Sequence, residues 1–243
     1  MGSNEEPAAA VTSVVPLDPG RAAQAGAVLA RAFHGDPIQM AIYPDPMRRA
    51  AIAPRAFAAA IRAALAAGGH VTTTADTAAT AVWTPPGIEI GMIAKLCGYG
   101  LDLPRIMVRT PLRTMPAMVS FFVAVSRRRR VHAPEPHWYL AALGVEPARQ
   151  GQGLGTLLVR EGLDRADADR ARAYLETGTA ANVRFYRALG FEVVEELTTA
   201  FGVPLWLMAR DPHPTARPGR PAAPGVCDED RIPPSPGPGT PGA

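Results

Sequence analysis

The sequence predicts a mixed α/β domain, and three observations carry that reading. Residues 137–145 are a nearly continuous apolar run of strand length. A glycine-rich turn follows, and Leu154, Leu157, Leu158 and Ala166 then return at helical spacing. Strand-like and helix-like segments alternate from there to about residue 210. Upstream, His70–Thr74 and residues 78–84 read as two strands around a polar turn at Asp76, a hairpin.

In chain order, residues 1–10 read as a disordered lead and 11–210 as the folded domain. Residues 11–15 form a short strand. Asp18 or Gly20 caps a helix over 21–33. His34-Gly35-Asp36-Pro37 and Tyr43-Pro44-Asp45-Pro46 read as a loop. A second helix covers 47–67, with Pro54 near its first turns and Gly68-Gly69 as its stop. After the hairpin, Pro85-Pro86-Gly87 ends the second strand. Residues 88–130 look helical, interrupted by Gly98, Gly100, Pro104, Pro111 and Pro116, and are expected to roof the substrate side. Beyond the strand–turn–helix come a strand at 172–177, a helix at 180–189 and strands at 191–197 and 203–209. Residues 211–243 are rich in Pro, Gly and Ala and poor in large apolar side chains, so they are expected to stay disordered.

Composition narrows the function. With 47% hydrophobic residues the chain can bury a full core, and a net charge of +3 is no argument for a nucleic-acid partner. Lys95 is the only lysine, so arginine supplies nearly all the positive charge. Cys97 and Cys227 lie far apart and point to neither a disulfide framework nor a metal site. Met1-Gly2-Ser3-Asn4-Glu5-Glu6 has no apolar signal core. The apolar stretch at 115–125 contains Pro116 and is too short to span a bilayer. A cytoplasmic protein without a membrane partner is the expectation, as a monomer or a homodimer.

The chemistry centres on Arg149-Gln150-Gly151-Gln152-Gly153-Leu154-Gly155. Alternating glycines at a helix start let backbone amides approach a ligand, and the helix dipole adds positive potential there. Such a turn holds phosphate or pyrophosphate. A Walker A loop would end in Gly-Lys-Ser/Thr, and a Rossmann turn would need glycine where Thr156 stands. Arg149 either adds charge toward a phosphate or is solvated. Gly144, inside the preceding strand, marks a bulge or a close backbone approach. Asn182 and Tyr186 are four apart on a helix and share a face. Arg127-Arg128-Arg129-Arg130 reads best as a solvated helix end. No Cys-His pair is apparent, so no covalent acyl-enzyme is expected.

The spacing Gln150-x-x-Gly153-x-Gly155 resembles the acyl-CoA pyrophosphate loop of the GNAT superfamily of N-acetyltransferases. Trp138-Tyr139-Leu140 through Gly144-Val145-Glu146-Pro147 is similar to that superfamily's central strand. Leu175-Glu176-Thr177, Asn182-Val183-Arg184-Phe185-Tyr186 and Leu189-Gly190-Phe191 are similar to its second CoA-contact segment. Together with Ala81-Val82-Trp83-Thr84-Pro85, the pattern most resembles puromycin N-acetyltransferases.

The resemblance implies a twisted mixed sheet, flanked by helices, that splays between its fourth and fifth strands with acyl-CoA in the split. It implies acetyl-CoA as co-substrate, no metal, and transfer to a primary amine of a small molecule such as an antibiotic. Gln150, Gly151, Gln152, Gly153, Leu154, Gly155 and Thr156 would take the pyrophosphate. Leu143, Val145 and Asn182 would take the pantetheine arm. Tyr186 would protonate the leaving thiolate; packing on Phe185 and Phe191 is its structural alternative. Glu176 would be the general base or orient a water; helix capping or solvent exposure is its alternative. Asp36, Tyr43 and Trp83 are candidates for the acceptor site, with a turn role open for Asp36 and a core role for both aromatics. Two other functions fit the same motifs: acetylation of a protein lysine or N-terminus, and a silent acyl-CoA-binding module.

Overall fold

A computed structural model describes residues 13–88, 108 and 115–213. Seven strands form one sheet in the order β1-β2-β3-β4-β5-β7-β6. They are β1 (Val14–Pro16), β2 (His70–Thr74), β3 (Ala79–Thr84), β4 (Trp138–Val145), β5 (Ala173–Thr177), β6 (Glu192–Thr198) and β7 (Pro204–Arg210). The helices are α1 (Ala22–Ala32), α2 (Pro37–Ile42), α3 (Pro46–Ala66), α4 (Met115–His132), α5 (Leu154–Ala168) and α6 (Ala180–Arg187). Every strand pair is antiparallel except β4 with β5. None of these helices is long and apolar enough to cross a membrane.

The local rules account for most elements. Asp18, Asp36 and Asp45 each accept backbone N–H groups at a helix start, and each is followed by a proline in the first turn. That pairing satisfies orphan donors with a carboxylate and sets the helical φ in advance. It also corrects one expectation. The segment read as a loop at 34–46 contains α2, because Asp36-Pro37 nucleates a helix rather than only a turn. Pro54 is accommodated inside α3 where α1 crosses it. A Cβ at Gly26 would lie 2.6 Å from the Ala58 nitrogen and 2.7 Å from the Pro54 carbonyl, so only glycine permits that crossing.

Helices cover both faces of the sheet. Trp83, Trp138, Leu140, Leu175 and Met208 face α5 and α6 across the main core. On the opposite face, Val71 and Val82 meet α1 and α3. Tyr174, Leu205 and Leu207 meet Val125 of α4 there. Trp83 is fully buried, which removes it from the acceptor site and makes it core. Its indole lies against α5 at Gly162, where an added Cβ would stand 2.3 Å from the ring. Gly162→Ala is therefore expected to destabilise the protein by about 2–3 kcal/mol, despite alanine's better helix propensity. A fall in Tm by several degrees, with a shifted Trp fluorescence maximum, checks this.

Two irregularities shape β4. Val82 pairs with Ala142 but Trp83 pairs with Leu140, so Ala141 is an extra, bulged residue. Gly144 is not the bulge. It is a close approach instead: a Cβ there would lie 2.7 Å from Leu29 Cδ2 and 3.0 Å from Ala32 Cβ of α1. On its other side β4 pairs with β5 only from Trp138 to Leu140, against Ala173 to Leu175. Beyond Leu140 the two parallel strands part, at the point where the bulge turns β4. The expected split between the fourth and fifth strands is present. Residues 1–10, residues 89–107 and 109–114 of the expected helical roof at 88–130, both cysteines and nearly all the C-terminal tail lie outside the described residues.

Candidate active site

The split is bordered on one side by the turn that starts α5. Gly151 and Gly153 have φ of +77° and +79°. Neither would meet a neighbour within 4 Å if given a Cβ, so backbone conformation and not space requires glycine there. Gly153 is the N-cap of α5 and offers no side-chain cap. The first-turn N–H groups of this 15-residue helix thus keep their hydrogen-bonding capacity at the positive end of its dipole. The turn is braced from outside. Arg149, partly open to solvent, donates to Gln152 Oε1 at 2.7 Å and to Asp76 Oδ2 at 2.9 Å. Gln150 donates to the Val145 carbonyl at 3.2 Å and ties the turn to the end of β4.

Behind the turn, Gly155 is packed among Val145, Leu143 and Phe185, with Leu154 buried beside it and Thr156 half-buried. The bulge at Ala141 reverses the alternation, which is why Leu143 and Val145 face α5 while Ala142 and Gly144 face α1. Asn182 is exposed, and its amide donates to Thr177 Oγ1 at 3.0 Å, fixing the start of α6 against the end of β5. One turn later Tyr186 is buried, its ring 5.0 Å from Phe185 and 5.7 Å from Phe191. Apolar surroundings push its phenol above the ordinary value. Both roles considered for Tyr186 are structurally compatible, since the ring packs in the core near the loop face.

Glu176 is the first residue of β5 past the last β4 pair, so it stands where the strands begin to part. Its alternation places it on the face of α4 together with Tyr174. Tyr139 of β4 donates its hydroxyl to Glu176 Oε2 at 2.8 Å. Glu176 Oε1 and the Tyr174 hydroxyl are buried without a hydrogen-bond partner among the described residues. Burial raises the Glu176 carboxyl to about 7; the positive charge of Arg129, the hydrogen bond from Tyr139 and the nearby Tyr174 hydroxyl, although it closes no full hydrogen bond, act against that rise. Arg129 lies over the Tyr139 ring, 4.1 Å from its centroid. Arg127, Arg128 and Arg130 are exposed, as a solvated helix end would have them, and Arg129 is the half-buried exception. Arg128 and His132, four apart on α4, both bind Glu195 of β6, the latter at 2.6 Å, and Arg129 turns toward the sheet.

Of the acceptor candidates, Asp36 alone lies near the split. Its Oδ1 caps α2 at 3.0 and 3.1 Å, and its Oδ2 lies 3.7 Å from the position of a Cβ on Gly178, directly after β5. Burial raises its carboxyl above the usual range. Tyr43 is buried with Ile42 and Ile52 between α2 and α3 and belongs to that core. Reading the sequence missed Tyr139, Tyr174 and Arg129 as companions of Glu176. The i, i+2 spacing of Tyr174 and Glu176 was visible, but the register that brings Tyr139 beside them was not.

A model of the Acetyltransferase (GNAT) family matches residues 117–191, from within α4 to the start of β6. The bulged β4, its parting from β5 and the glycine turn into α5 all fall inside that segment. This chain has the GNAT acetyltransferase fold. Solved structures agree at the level of fold. One is described as a histone acetyltransferase and related acetyltransferase from Corynebacterium glutamicum. It is similar over 83% of this chain and 97% of its own, at 22% identity and a TM-score of 0.60. An agmatine N-acetyltransferase is similar over 82% of this chain and 98% of its own, at 14% identity and a TM-score of 0.52. A Drosophila melanogaster polyamine N-acetyltransferase is similar over 82% and 99%, at 15% identity and a TM-score of 0.51. Glu176 lies at the parting of β4 and β5 on the α4 face, and Tyr186 lies in the core on the α6 face.

Proposed function

We propose that residues 11–210 form an acetyl-CoA-dependent N-acetyltransferase acting on the primary amine of a small molecule. The observation that supports this best is Glu176 at the fork of β4 and β5, with one carboxylate oxygen bound by Tyr139 and the other unpartnered among the described residues. The chain's donors fit the co-substrate. The uncapped amides at Gly151–Gly155 suit a pyrophosphate, and β4 beyond Leu140 lacks a strand partner on the β5 side and can pair with an amide-bearing arm. Acetyl-CoA, when bound there, supplies the activated acyl group.

The chain's own residues then have separate tasks. Glu176 takes the proton that the amine loses as its nitrogen bonds to the acyl carbon, directly or through one water. A carboxyl near 7 is half ionised at neutral pH, which suits a base. Tyr186 gives its phenolic proton to the sulfur as the carbon–sulfur bond breaks, and solvent restores both residues to their starting forms. The apolar surroundings that raise the phenol would also raise a thiol placed among them, so the two acids stay matched. Attack occurs in one ternary complex, with positioning as a major contribution. Asp36, near the Gly178 turn, suits recognition of the acceptor as a cation before it loses a proton to solvent and attacks as the neutral amine, and an antibiotic amine such as puromycin is the finer reading of the acceptor. Asp36, not Tyr43 or Trp83, carries the acceptor assignment.

The testing experiment measures thiol release from acetyl-CoA across puromycin, aminoglycosides, polyamines, amino acids and a lysine peptide, each against a no-acceptor control. Turnover confined to one small-molecule class supports the proposal. Turnover with the peptide alone would favour a protein acetyltransferase. CoA binding without turnover on any acceptor would favour the silent module.

A further inference from the structure

The last turn of α4 carries an arrangement that a merely structural helix end would not need. Arg128 and His132 fix one side of the helix to Glu195 on β6. Between them Arg129 is half-buried and stacked on Tyr139, whose hydroxyl is donated to Glu176 Oε2 at 2.8 Å. A guanidinium over a phenol ring is attracted by the ring's negative face. The phenol it stacks on is the group that holds the carboxylate. We propose that Arg129 is the positioning residue of this site: acting through Tyr139, it orients the Glu176 carboxylate and favours its ionised form for proton abstraction. This rests on the reading of Glu176 as the base.

The groups around Glu176 make Arg129 the deciding charge. Tyr139 from β4 and Tyr174 from β5 both have phenols raised by burial, so both stay neutral. Asp36 lies at the Gly178 turn and is itself raised by burial. His137, beside Tyr174, is lowered by burial and is neutral at neutral pH. Glu195 of β6 is already held by Arg128 and His132. Among the described residues, Arg129 is the cation that favours the ionised form of Glu176. A cation acting on a buried carboxylate changes its ionisation by an order of magnitude or more.

The test is an NMR titration of the Glu176 carboxyl carbon in the full chain, with Glu176→Gln as assignment control, beside the pH profile of kcat/KM. Arg129→Met is expected to move the carboxyl midpoint to higher pH by about one unit. It should lower kcat/KM about ten-fold at pH 6.5 while leaving most activity at pH 9. Arg129→Lys keeps a cation and should retain most of the wild-type midpoint. Arg129→Gln runs in parallel should methionine unfold the protein. An unchanged midpoint in folded Arg129→Met or Arg129→Gln, or a loss equal at all pH values, overturns the proposal. The base reading fails separately, if Glu176→Gln keeps wild-type turnover.

Discussion

Glu176→Gln is expected to lower kcat/KM at pH 8 by about 10²–10⁴-fold, the range that general-base catalysis contributes, and to make the protein more stable at that pH. Both effects have one source. The wild-type carboxyl titrates near 7 in the folded chain, against a reference of 4.5. A raised pKa means that the folded state holds its proton more tightly than the unfolded state does. Below about pH 4.5 both states are protonated and nothing is lost. Between there and about 7 the unfolded chain ionises first, and stability falls as pH rises. Above about 7 the folded protein holds a buried carboxylate at a cost of about 3 kcal/mol relative to an unperturbed one.

The glutamine carries no charge and escapes that cost, though its amide must still find partners. Thermal melts should show the variant ahead of wild type at pH 8 and level with it at pH 4. Wild-type activity should rise through about pH 7 and then level off. A variant that is inactive but no more stable at pH 8 would mean that Glu176 is better solvated than its surroundings indicate.

Tyr186→Phe is expected to reduce kcat by about 10²–10³-fold with little change in the KM for acetyl-CoA. The ring contacts to Phe185 and Phe191 survive the change. No protein group among the described residues loses a hydrogen bond, so Tm should stay within about a degree or two of wild type. Because burial holds the phenol protonated, wild-type activity should not fall on the alkaline side before about pH 10. Calorimetric titration of CoA against both proteins separates the functions. An enzyme loses turnover and keeps binding, whereas a silent module shows no difference at all.

The comparison of the two catalytic candidates shows where sequence stops being informative. Tyr186 and the glycine turn are set by contacts within a few residues. A positive φ at Gly151 and Gly153, a Thr179 cap on α6 and the i, i+4 relation of Asn182 to Tyr186 are all short-range. Short-range errors had short-range signals too. Asp36-Pro37 has the same form as Asp45-Pro46, and both start helices, so α2 was legible had cap chemistry been weighed above turn propensity. Gly144 was legible as special but not as to why, because its reason is the side chain of Leu29 on another element.

Caps, periodicity and glycine conformation act locally, so the order of the elements, α2 excepted, and the glycine turn into α5 were legible along the chain. Which groups meet Glu176 depends on contacts between distant parts of the chain. Tyr139 lies 37 residues from it along the chain and reaches it through the parallel register of two strands that no turn connects. Arg129 reaches the same site because Arg128 and His132 anchor α4 to β6, 67 and 63 residues onward. Trp83 was removed from the site by the same kind of contact, a glycine on α5 that lets the indole sink to full burial. Strand register and helix crossing are chosen by the packing of the whole core, and so is the electrostatic environment of the one carboxylate on which the proposed reaction depends.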